Sequence, residues 1–176
     1  MHLRMVFPDQ GSILVNASPC AKQWGYREFI SYLPQQAAFP QNLTVEELME
    51  MVMDIRQKQA AHRLELIRLF QLANYLKTPL KHLSGGTRQK VSLVVSLMFD
   101  THLLILDEPS TGLDPLALLH LKKWLKSQPE KYIFITSHII NFVESICHRV
   151  FFLSDGVVLL ETDANNLETK LLEVYV

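Results

Sequence analysis

The sequence predicts an α/β fold built around a parallel sheet, and two apolar runs carry that prediction. Residues 103–106 (Leu-Leu-Ile-Leu) and 132–135 (Tyr-Ile-Phe-Ile) are continuous apolar stretches, which are typical of parallel strands covered on both faces. Residues 116–127 between them have a helical pattern and predict the crossover helix. The chain has 176 residues, 48% of them hydrophobic and 20% charged, which is enough material for one domain.

The composition argues against several classes of protein. The net charge is -1 and there is no Lys/Arg block, so no nucleic-acid partner held through phosphate contacts is expected. Cys20 and Cys147 are isolated, which fits a reducing compartment better than a disulfide framework. No apolar run approaches the ~20 residues that span a bilayer, and residues 1–10 lack the basic-then-apolar order of a signal peptide. These observations predict a cytoplasmic location.

The first third of the chain predicts two short strands followed by a helix. The strands are expected at residues 12–15 and 29–33, and Pro34 stops the second one. The helix is expected from Thr44, because Thr44 and Glu47 have the spacing of a capping box. The apolar face of this helix is predicted to contain Leu48, Val52 and Ile55.

Two further regular segments are predicted on either side of the apolar strands. A second helix is expected at residues 63–76, before Pro79. Its apolar side is predicted to contain Leu66, Leu69, Phe70 and Ala73. Residues 150–160 predict a β-hairpin with its turn at Ser154-Asp155-Gly156, and a short helical tail follows.

Chemically useful side chains follow the two predicted parallel strands. Asp107 and Glu108 come directly after the first apolar run, at the strand end where α/β proteins bind ligands. One carboxylate could hold a hydrated Mg²⁺, and the second could polarise an attacking water. His138 closes the next strand. Each feature also has a plain structural interpretation, as a strand meeting a polar turn and as a histidine at a strand end.

The stretch LSGGTRQK, residues 83–90, predicts a helix that begins at a phosphate-binding type of N-terminus. Ser84 is expected to cap the helix that starts at Gly85, and free N–H groups at such an end favour anions. Taken alone, Ser-Gly-Gly is equally consistent with an ordinary N-cap. The order of this motif, the Asp-Glu strand end and the Ser-His strand end makes coincidence implausible.

In this order, the motifs make the chain resemble the nucleotide-binding domain of ATP-binding-cassette (ABC) proteins over essentially its whole length. LSGGTRQK resembles the signature motif, LLILDEP (103–109) resembles Walker B, and STGLD (110–114) resembles the D-loop. ITSH (135–138) is similar to the H-loop, with His138 as its histidine. Tyr32-Leu33-Pro34-Gln35 resembles the Q-loop, and the opening Phe7 to Ile13 is similar to the segment after the first helix of such domains.

The resemblance implies a P-loop NTPase (RecA-like) core interrupted by a helical subdomain. Residues 1–39 and 99–165 are expected to form a partial ATP-binding core, residues 40–98 the helical subdomain with the signature motif, and residues 166–176 a C-terminal tail. The implied cofactors are ATP and Mg²⁺. The implied partners are a second cassette, in a homodimer or a heterodimer, and a transmembrane permease. The chain is then expected to be peripheral on the inner face of the plasma membrane.

The resemblance also assigns a role to individual residues. Glu108 and His138 are the expected catalytic residues, and Asp107 and Gln35 are the expected Mg²⁺ contacts. The expected ATP-site contacts are Gln35, Ser84, Gly85, Gly86, Gln89, Asp107 and Asp114.

The chain departs from the family pattern in its phosphate-binding loop. That loop has the form Gly-x-x-x-x-Gly-Lys-Ser/Thr, and none of the six glycines is followed by lysine. The family places the loop, and the strands before it, upstream of the position of Met1, so we interpret the chain as an N-terminally incomplete cassette. Loss of charge-assisted hydrogen bonds of about 1.5 to 3 kcal/mol each is expected to weaken ATP binding by about three orders of magnitude or more. The chain alone is expected to show no ATP hydrolysis.

Within the family, residues 39–45, residues 53–56 and the end of the signature resemble the ATPase subunits of ABC-2 type exporters. Among those, the nearest resemblance is to the copper-exporter type associated with nitrous oxide reductase maturation. Met49, Met51 and Met53 are therefore candidates for a soft thioether site. Residues i and i+2 lie about 200° apart on a helix, however, so gap-filling core is the interpretation for these methionines.

Two other functions remain open. The first is a soluble ABC protein of translation or DNA repair, but Gln35 and Ser84 are only 49 positions apart, which leaves no room for a long coiled-coil insertion. The second is a non-catalytic remnant that lends its signature motif to an intact partner.

Overall fold

The computed structural model describes residues 9–15, 18–19 and 25–175. Strand β1 (Leu14–Val15) pairs antiparallel with β2 (Ser18–Pro19). The first strand is therefore shorter than the residues 12–15 that the sequence predicts. Cys20 and the first part of the Phe7 to Ile13 segment lie outside the described residues.

A three-stranded parallel sheet forms the centre of the fold. Its strands β3 (Ile30–Leu33), β4 (Leu103–Asp107) and β5 (Tyr132–Thr136) lie in the order β3-β4-β5. Both neighbouring pairs are parallel, with Leu33 opposite Leu106 and Asp107 opposite Thr136. The sequence prediction of parallel strands is confirmed, and the carboxyl ends of all three strands meet at one edge of the sheet.

The two faces of the sheet are covered unequally. One face contributes the fully buried Leu33, Leu104 and Leu106 to the main core. On the other face Tyr26 and Ile30 form a small second cluster against β4. Tyr132 and Phe134 of β5, however, are 76% and 65% exposed. The expectation that both strands are covered on both faces is therefore wrong for β5, because no described element packs over these two aromatic rings.

The helix predicted from Thr44 is α1 (Val45–Arg56), and its start matches the sequence prediction. The Thr44 hydroxyl accepts the Glu47 N–H at 3.2 Å, and the Glu47 carboxylate accepts the Thr44 N–H at 2.8 Å, so the capping box is formed. The hydrogen bonds that the Glu47 carboxylate accepts, first from the Thr44 N–H and then from the Thr44 hydroxyl, hold the pKa of Glu47 below its usual value. The buried residues of α1 are Val45, Leu48 and Met49, whereas Ile55 is exposed, so the predicted face was wrong at that position.

The second predicted helix ends earlier than the sequence suggests. Helix α2 spans Arg63–Leu69, and a 3-10 turn at Ala73–Tyr75 follows it. Gln71 has a left-handed backbone with φ 57, which interrupts the helix before residue 76. Ala73 is consequently exposed rather than part of the apolar face.

Two longer helices place the motifs relative to the sheet. Helix α3 (Gly85–Leu97) packs against β3, α1 and α2, and its buried residues lie in the main core. Helix α4 (Pro115–Lys126) is the crossover between β4 and β5, as predicted, and buries Leu121 and Trp124.

The last part of the chain is a short helix, a hairpin and a terminal helix. Helix α5 (Ile140–Ile146) precedes the antiparallel strands β6 (Arg149–Ser154) and β7 (Val157–Asp163), and α6 (Leu167–Tyr175) ends the chain. Asp155 and Gly156 have φ 49 and 79, the combination that a two-residue type I′ turn requires. The predicted hairpin and helical tail are confirmed. Within the described residues, no helix has the length and apolar character needed to cross a membrane.

Candidate functional site

The carboxyl ends of β4 and β5 bring together the residues that the sequence singled out. Asp107 is the last residue of β4, and Thr136 lies opposite it at the end of β5. The Thr136 hydroxyl donates to Asp107 Oδ1 at 2.5 Å. This bond fixes one carboxylate oxygen and leaves the other for a ligand.

Glu108 follows Asp107 with an unusual backbone conformation. Its φ is 47, in the left-handed region that residues other than glycine seldom adopt. The Glu108 N–H donates to the Thr136 carbonyl at 3.1 Å and lies 3.2 Å from the Thr136 hydroxyl, while Thr111 N–H donates to the Glu108 carbonyl at 3.1 Å. Strained conformations persist where neighbouring bonds enforce them, and such positions cluster at functional sites.

The Glu108 side chain faces His138. Nδ1 of His138 lies 2.9 Å from Glu108 Oε1, and the Glu108 side chain is only 14% exposed, whereas His138 is largely exposed. The other oxygen of Glu108, Oε2, is buried and has no hydrogen-bond partner among the described residues. Buried carboxylate oxygens normally have a partner, so Oε2 is a candidate acceptor for a bound water.

Tyr32 and Gln35 belong to the neighbouring strand end. The pKa of the Tyr32 hydroxyl is raised, first by burial and second by the negative charge of Asp107, so the two side chains share one electrostatic environment. Gln35 is exposed and lies two residues beyond Leu33, which pairs with Leu106 just before Asp107. The backbone register therefore places Gln35 at the same sheet edge as the carboxylates.

The signature segment forms the N-terminus of α3. Ser84 caps the helix, because its hydroxyl accepts the Thr87 N–H at 3.2 Å, and this confirms the predicted cap. A Cβ built on Gly85 would meet no atom within 4 Å, so space is open in front of the first helical residue. On the same helix, the side-chain nitrogen Nε2 of Gln89 is buried and has no hydrogen-bond partner among the described residues.

The D-loop segment connects this helix with the end of β4. Asp114 caps α4 by accepting the Ala117 N–H at 2.8 Å. Its second oxygen lies 2.5 Å from Lys90 Nζ on α3. The hydrogen bond from Lys90 and then that from Ala117 hold the pKa of Asp114 below its usual value.

Two contacts of the site were not anticipated from the sequence. Thr136 and Lys90 lie inside motifs that the sequence analysis quoted, yet neither was singled out. A threonine at the end of an apolar strand and a lysine one helical turn after a glycine pair are the only local signals of their positions.

The described residues fit the metal and water side of a nucleotide site, and no glycine in the sequence is followed by the lysine of a phosphate-binding loop. Asp107 and Gln35 offer oxygen donors of the kind that Mg²⁺ prefers, with Glu108 beside them. In the described ranges, no group of three or more His, Cys, Asp or Glu side chains could hold a metal ion by itself. Water and phosphate oxygens would therefore have to complete the coordination.

Comparison with known proteins gives one consistent family. A family model described as ABC transporter matches residues 1–111, more than half of the chain. The lantibiotic transport ATP-binding protein SrtF of Streptococcus pyogenes is 29% identical over 168 residues, 93% of this chain and 72% of that protein. A solved structure described as an ATP binding subunit of an ABC transporter is 27% identical, with a TM-score of 0.84, and covers 96% of this chain and 76% of that one.

The chain spans less than two thirds of the length of two other relatives. An ABC-type organic anion transporter of Mus musculus is 30% identical over 175 residues, which are 96% of this chain and 11% of that protein. An uncharacterized ABC transporter ATP-binding protein of Rhizobium meliloti is 28% identical over 171 residues, 92% of this chain and 63% of that protein.

The parallel sheet with its acidic strand end is the α/β core of a domain that the comparisons identify as ATP-binding. The chain belongs to the ABC transporter family, and it corresponds to the ATP-binding domain of that family.

Proposed function

We propose that this chain is the ATP-binding subunit of an ABC-2 type exporter, in which ATP binding and hydrolysis drive transport through a membrane permease. The observation that carries the proposal is the cluster at the sheet edge, where Asp107 is fixed by Thr136 and Glu108 pairs with His138. The name of the lantibiotic transport relative supports a role in transport.

Each residue of the cluster has a part in the proposed chemistry. Glu108 orients and polarises a water through Oε2, the oxygen without a partner among the described residues. His138 holds the carboxylate through Oε1, and its side chain is largely exposed, so a phosphate can reach it. Asp107 and Gln35 would hold Mg²⁺, which would neutralise charge on the phosphate oxygens.

The phosphates themselves need groups that the 176 residues do not supply. No Gly-Lys pair occurs in the sequence, so the charge-neutralising lysine of a phosphate-binding loop has to come from other residues. Ser84, Gly85 and Gly86 then act on a nucleotide held by a second cassette, because the N-terminus of α3 presents free N–H groups. A dimer of cassettes, bound to a permease at the inner face of the plasma membrane, is the assembly that we propose.

The exporter branch rests on sequence resemblance, and the copper-exporter resemblance stays a prediction. Met49 is fully buried, and Met51 and Met53 pack partly buried against the same core. This packing supports the interpretation of the methionines as core rather than as a thioether site for copper.

The experiment compares ATP hydrolysis in three preparations: the chain alone, the chain fused to a loop-bearing N-terminal strand of a related cassette, and the chain co-purified with an intact cassette. The chain alone should show no Mg²⁺-dependent turnover. In the fusion, Glu108→Gln should abolish turnover and trap an ATP-bound dimer, whereas the matched control Glu130→Gln, at an exposed position after α4, should not. Turnover by the chain alone that disappears in Glu108→Gln would contradict the proposal.

A second candidate, a non-catalytic partner, is favoured by the same lack of a Gly-Lys pair. In the complex with an intact cassette, it predicts that Ser84→Arg suppresses the partner's hydrolysis, since bulk and a cation enter where the helix end meets phosphate. Glu108→Gln should then leave the rate nearly unchanged. Equal loss from both substitutions would instead show that this chain contributes a working carboxylate site.

A further inference from the structure

Lys90 connects the signature helix with the D-loop inside a single chain. It lies four residues after Gly86, and therefore on the same side of α3. Its ammonium group is 2.5 Å from Asp114 Oδ2, and its side chain is only 19% exposed. Because Asp114 Oδ1 is already engaged by the Ala117 N–H, both oxygens of this carboxylate are fixed in place.

A second contact joins the same two segments one helical turn earlier. A Cβ built on Gly86 would lie 3.2 Å from the carbonyl oxygen of Gly112, so the helix and the D-loop backbone are nearly touching there. Gly112 has φ 74, a conformation that turns its carbonyl without a steric penalty. The D-loop is therefore in contact with α3 at two points, Gly86 and Lys90.

The D-loop is in turn attached to the catalytic strand end. Thr111 N–H donates to the Glu108 carbonyl at 3.1 Å, and Leu113 N–H donates to the Ser110 carbonyl at 3.4 Å. Ser110 is buried. A short turn therefore leads from Asp114 back to Glu108, so the segment that α3 contacts is continuous with the acidic strand end.

We propose that Lys90 is a positioning residue: its ion pair with Asp114 sets the distance between the N-terminus of α3 and Glu108. The inference rests on the proposed function, because the distance matters only if Ser84 to Gly86 and Glu108 both serve nucleotide sites. Without the ion pair, the Gly86–Gly112 contact remains, and no other ion pair among the described residues joins α3 to the D-loop.

An ordinary surface ion pair is the competing explanation. Exposed pairs contribute little, because water screens the charges and two long side chains lose freedom. Lys90 differs from such pairs, since four-fifths of its side chain is buried and its partner is also a helix cap.

Amide hydrogen exchange on the full chain tests the position directly. Lys90→Met and Asp114→Asn should each accelerate exchange of the Thr87, Thr111 and Leu113 N–H groups about tenfold, with β4 unchanged. Asparagine is also a good N-cap, so Asp114→Asn removes the charge while retaining the cap of α4. These N–H groups should exchange no faster in the double variant than in either single variant. In Lys90→Arg, which retains the positive charge, their exchange should stay slow. Lys81→Met, at an exposed lysine just before the signature, is the matched control.

Two outcomes would overturn the positioning role. Acceleration that extends equally to β4 would mean that Lys90 only stabilises the whole fold, and no acceleration would mean that the pair holds nothing in place. Fast exchange in Lys90→Arg would also contradict the positioning role, because arginine retains the positive charge.

Hydrolysis by the fusion with a loop-bearing strand, in which Ser84 and Glu108 of this chain both serve nucleotide sites, separates this inference from the proposed function. Ser84→Arg reports whether the signature acts at all, and Lys90→Met should lower the rate about tenfold while Lys81→Met leaves it unchanged. If Ser84→Arg has no effect, the proposed function fails. If Ser84→Arg abolishes hydrolysis and Lys90→Met does not change it, only the positioning role fails.

Discussion

One hydroxyl, that of Thr136, contacts both residues of the acidic strand end. It donates to Asp107 Oδ1 at 2.5 Å and lies 3.2 Å from the Glu108 backbone nitrogen. Thr136→Val removes the hydroxyl at nearly constant volume, so we expect the free energy of unfolding to fall by about 1 kcal/mol. We also expect weaker Mg²⁺-dependent hydrolysis in the fusion with a loop-bearing strand. Thr136→Ser, which retains the hydroxyl, is the control, and equal rates for both variants would contradict this role.

The two glycines of the signature should respond differently to alanine. Gly85 has open space where a Cβ would be, so Gly85→Ala should leave the stability unchanged or raise it by up to about 1 kcal/mol. Gly86→Ala places its Cβ 3.2 Å from the Gly112 carbonyl and should lower stability relative to Gly85→Ala. Denaturant unfolding measures both. We expect Gly85→Ala to abolish ATP hydrolysis in the complex with an intact cassette, because the nucleotide needs the open space in front of Gly85. Full hydrolysis by Gly85→Ala would contradict that requirement.

Stability should depend on pH through the ion pair of Asp100 and Lys131. The Lys131 ammonium, which is almost buried, holds the pKa of Asp100 below its usual value of 3.8. The pair therefore stabilises the fold above that usual value, and this contribution is lost as the pH falls through the lowered folded-state pKa. Asp100→Asn should reduce the acid dependence of the unfolding free energy between about pH 5 and pH 2. Asp155→Asn, in the hairpin turn, removes the same charge from another part of the chain and is the control. If the unfolding free energies of both variants had the same slope against pH, the Asp100–Lys131 ion pair would be excluded as the cause.

The two faces of the sheet should differ sharply in their tolerance of substitution. Leu104 is fully buried, so Leu104→Ala should cost about 2 to 5 kcal/mol. Phe134 is 65% exposed, so Phe134→Ser should change stability by less than about 0.5 kcal/mol and should reduce self-association of the chain, measured by light scattering. A loss above about 2 kcal/mol for Phe134→Ser would mean that an element outside the described residues covers this ring.

Local signals in the sequence were sufficient for much of the fold. Thr44 with Glu47, Ser84, and the Asp155-Gly156 turn all act within a few residues, and each forms the predicted structure. The end of α2 was missed because a left-handed backbone at Gln71, a residue with no strong preference for it, interrupts an otherwise helical pattern.

The strand ends and the Ser84 cap of α3 could be predicted from the sequence, whereas the other contacts of the candidate site depend on tertiary structure. Thr136 reaches Asp107 through the register of β4 and β5, across 29 positions of sequence. Lys90 meets Asp114 only when α3 packs beside the D-loop. The periodicity of apolar residues also does not predict that Tyr132 is exposed in the described structure.

The left-handed backbone of Glu108 places two opposite requirements on one position: the proposed hydrolysis needs a carboxylate there, and thermostability favours a residue that adopts this backbone without strain. A side chain other than glycine or asparagine at φ 47 costs about 1 to 2 kcal/mol, so glutamate is not the residue that folds best there. A library randomised at position 108 and sorted for heat resistance should enrich glycine and asparagine. The same library placed in the fusion with a loop-bearing strand and sorted for ATP hydrolysis should return glutamate, so that the amino acid recovered reports which selection was applied.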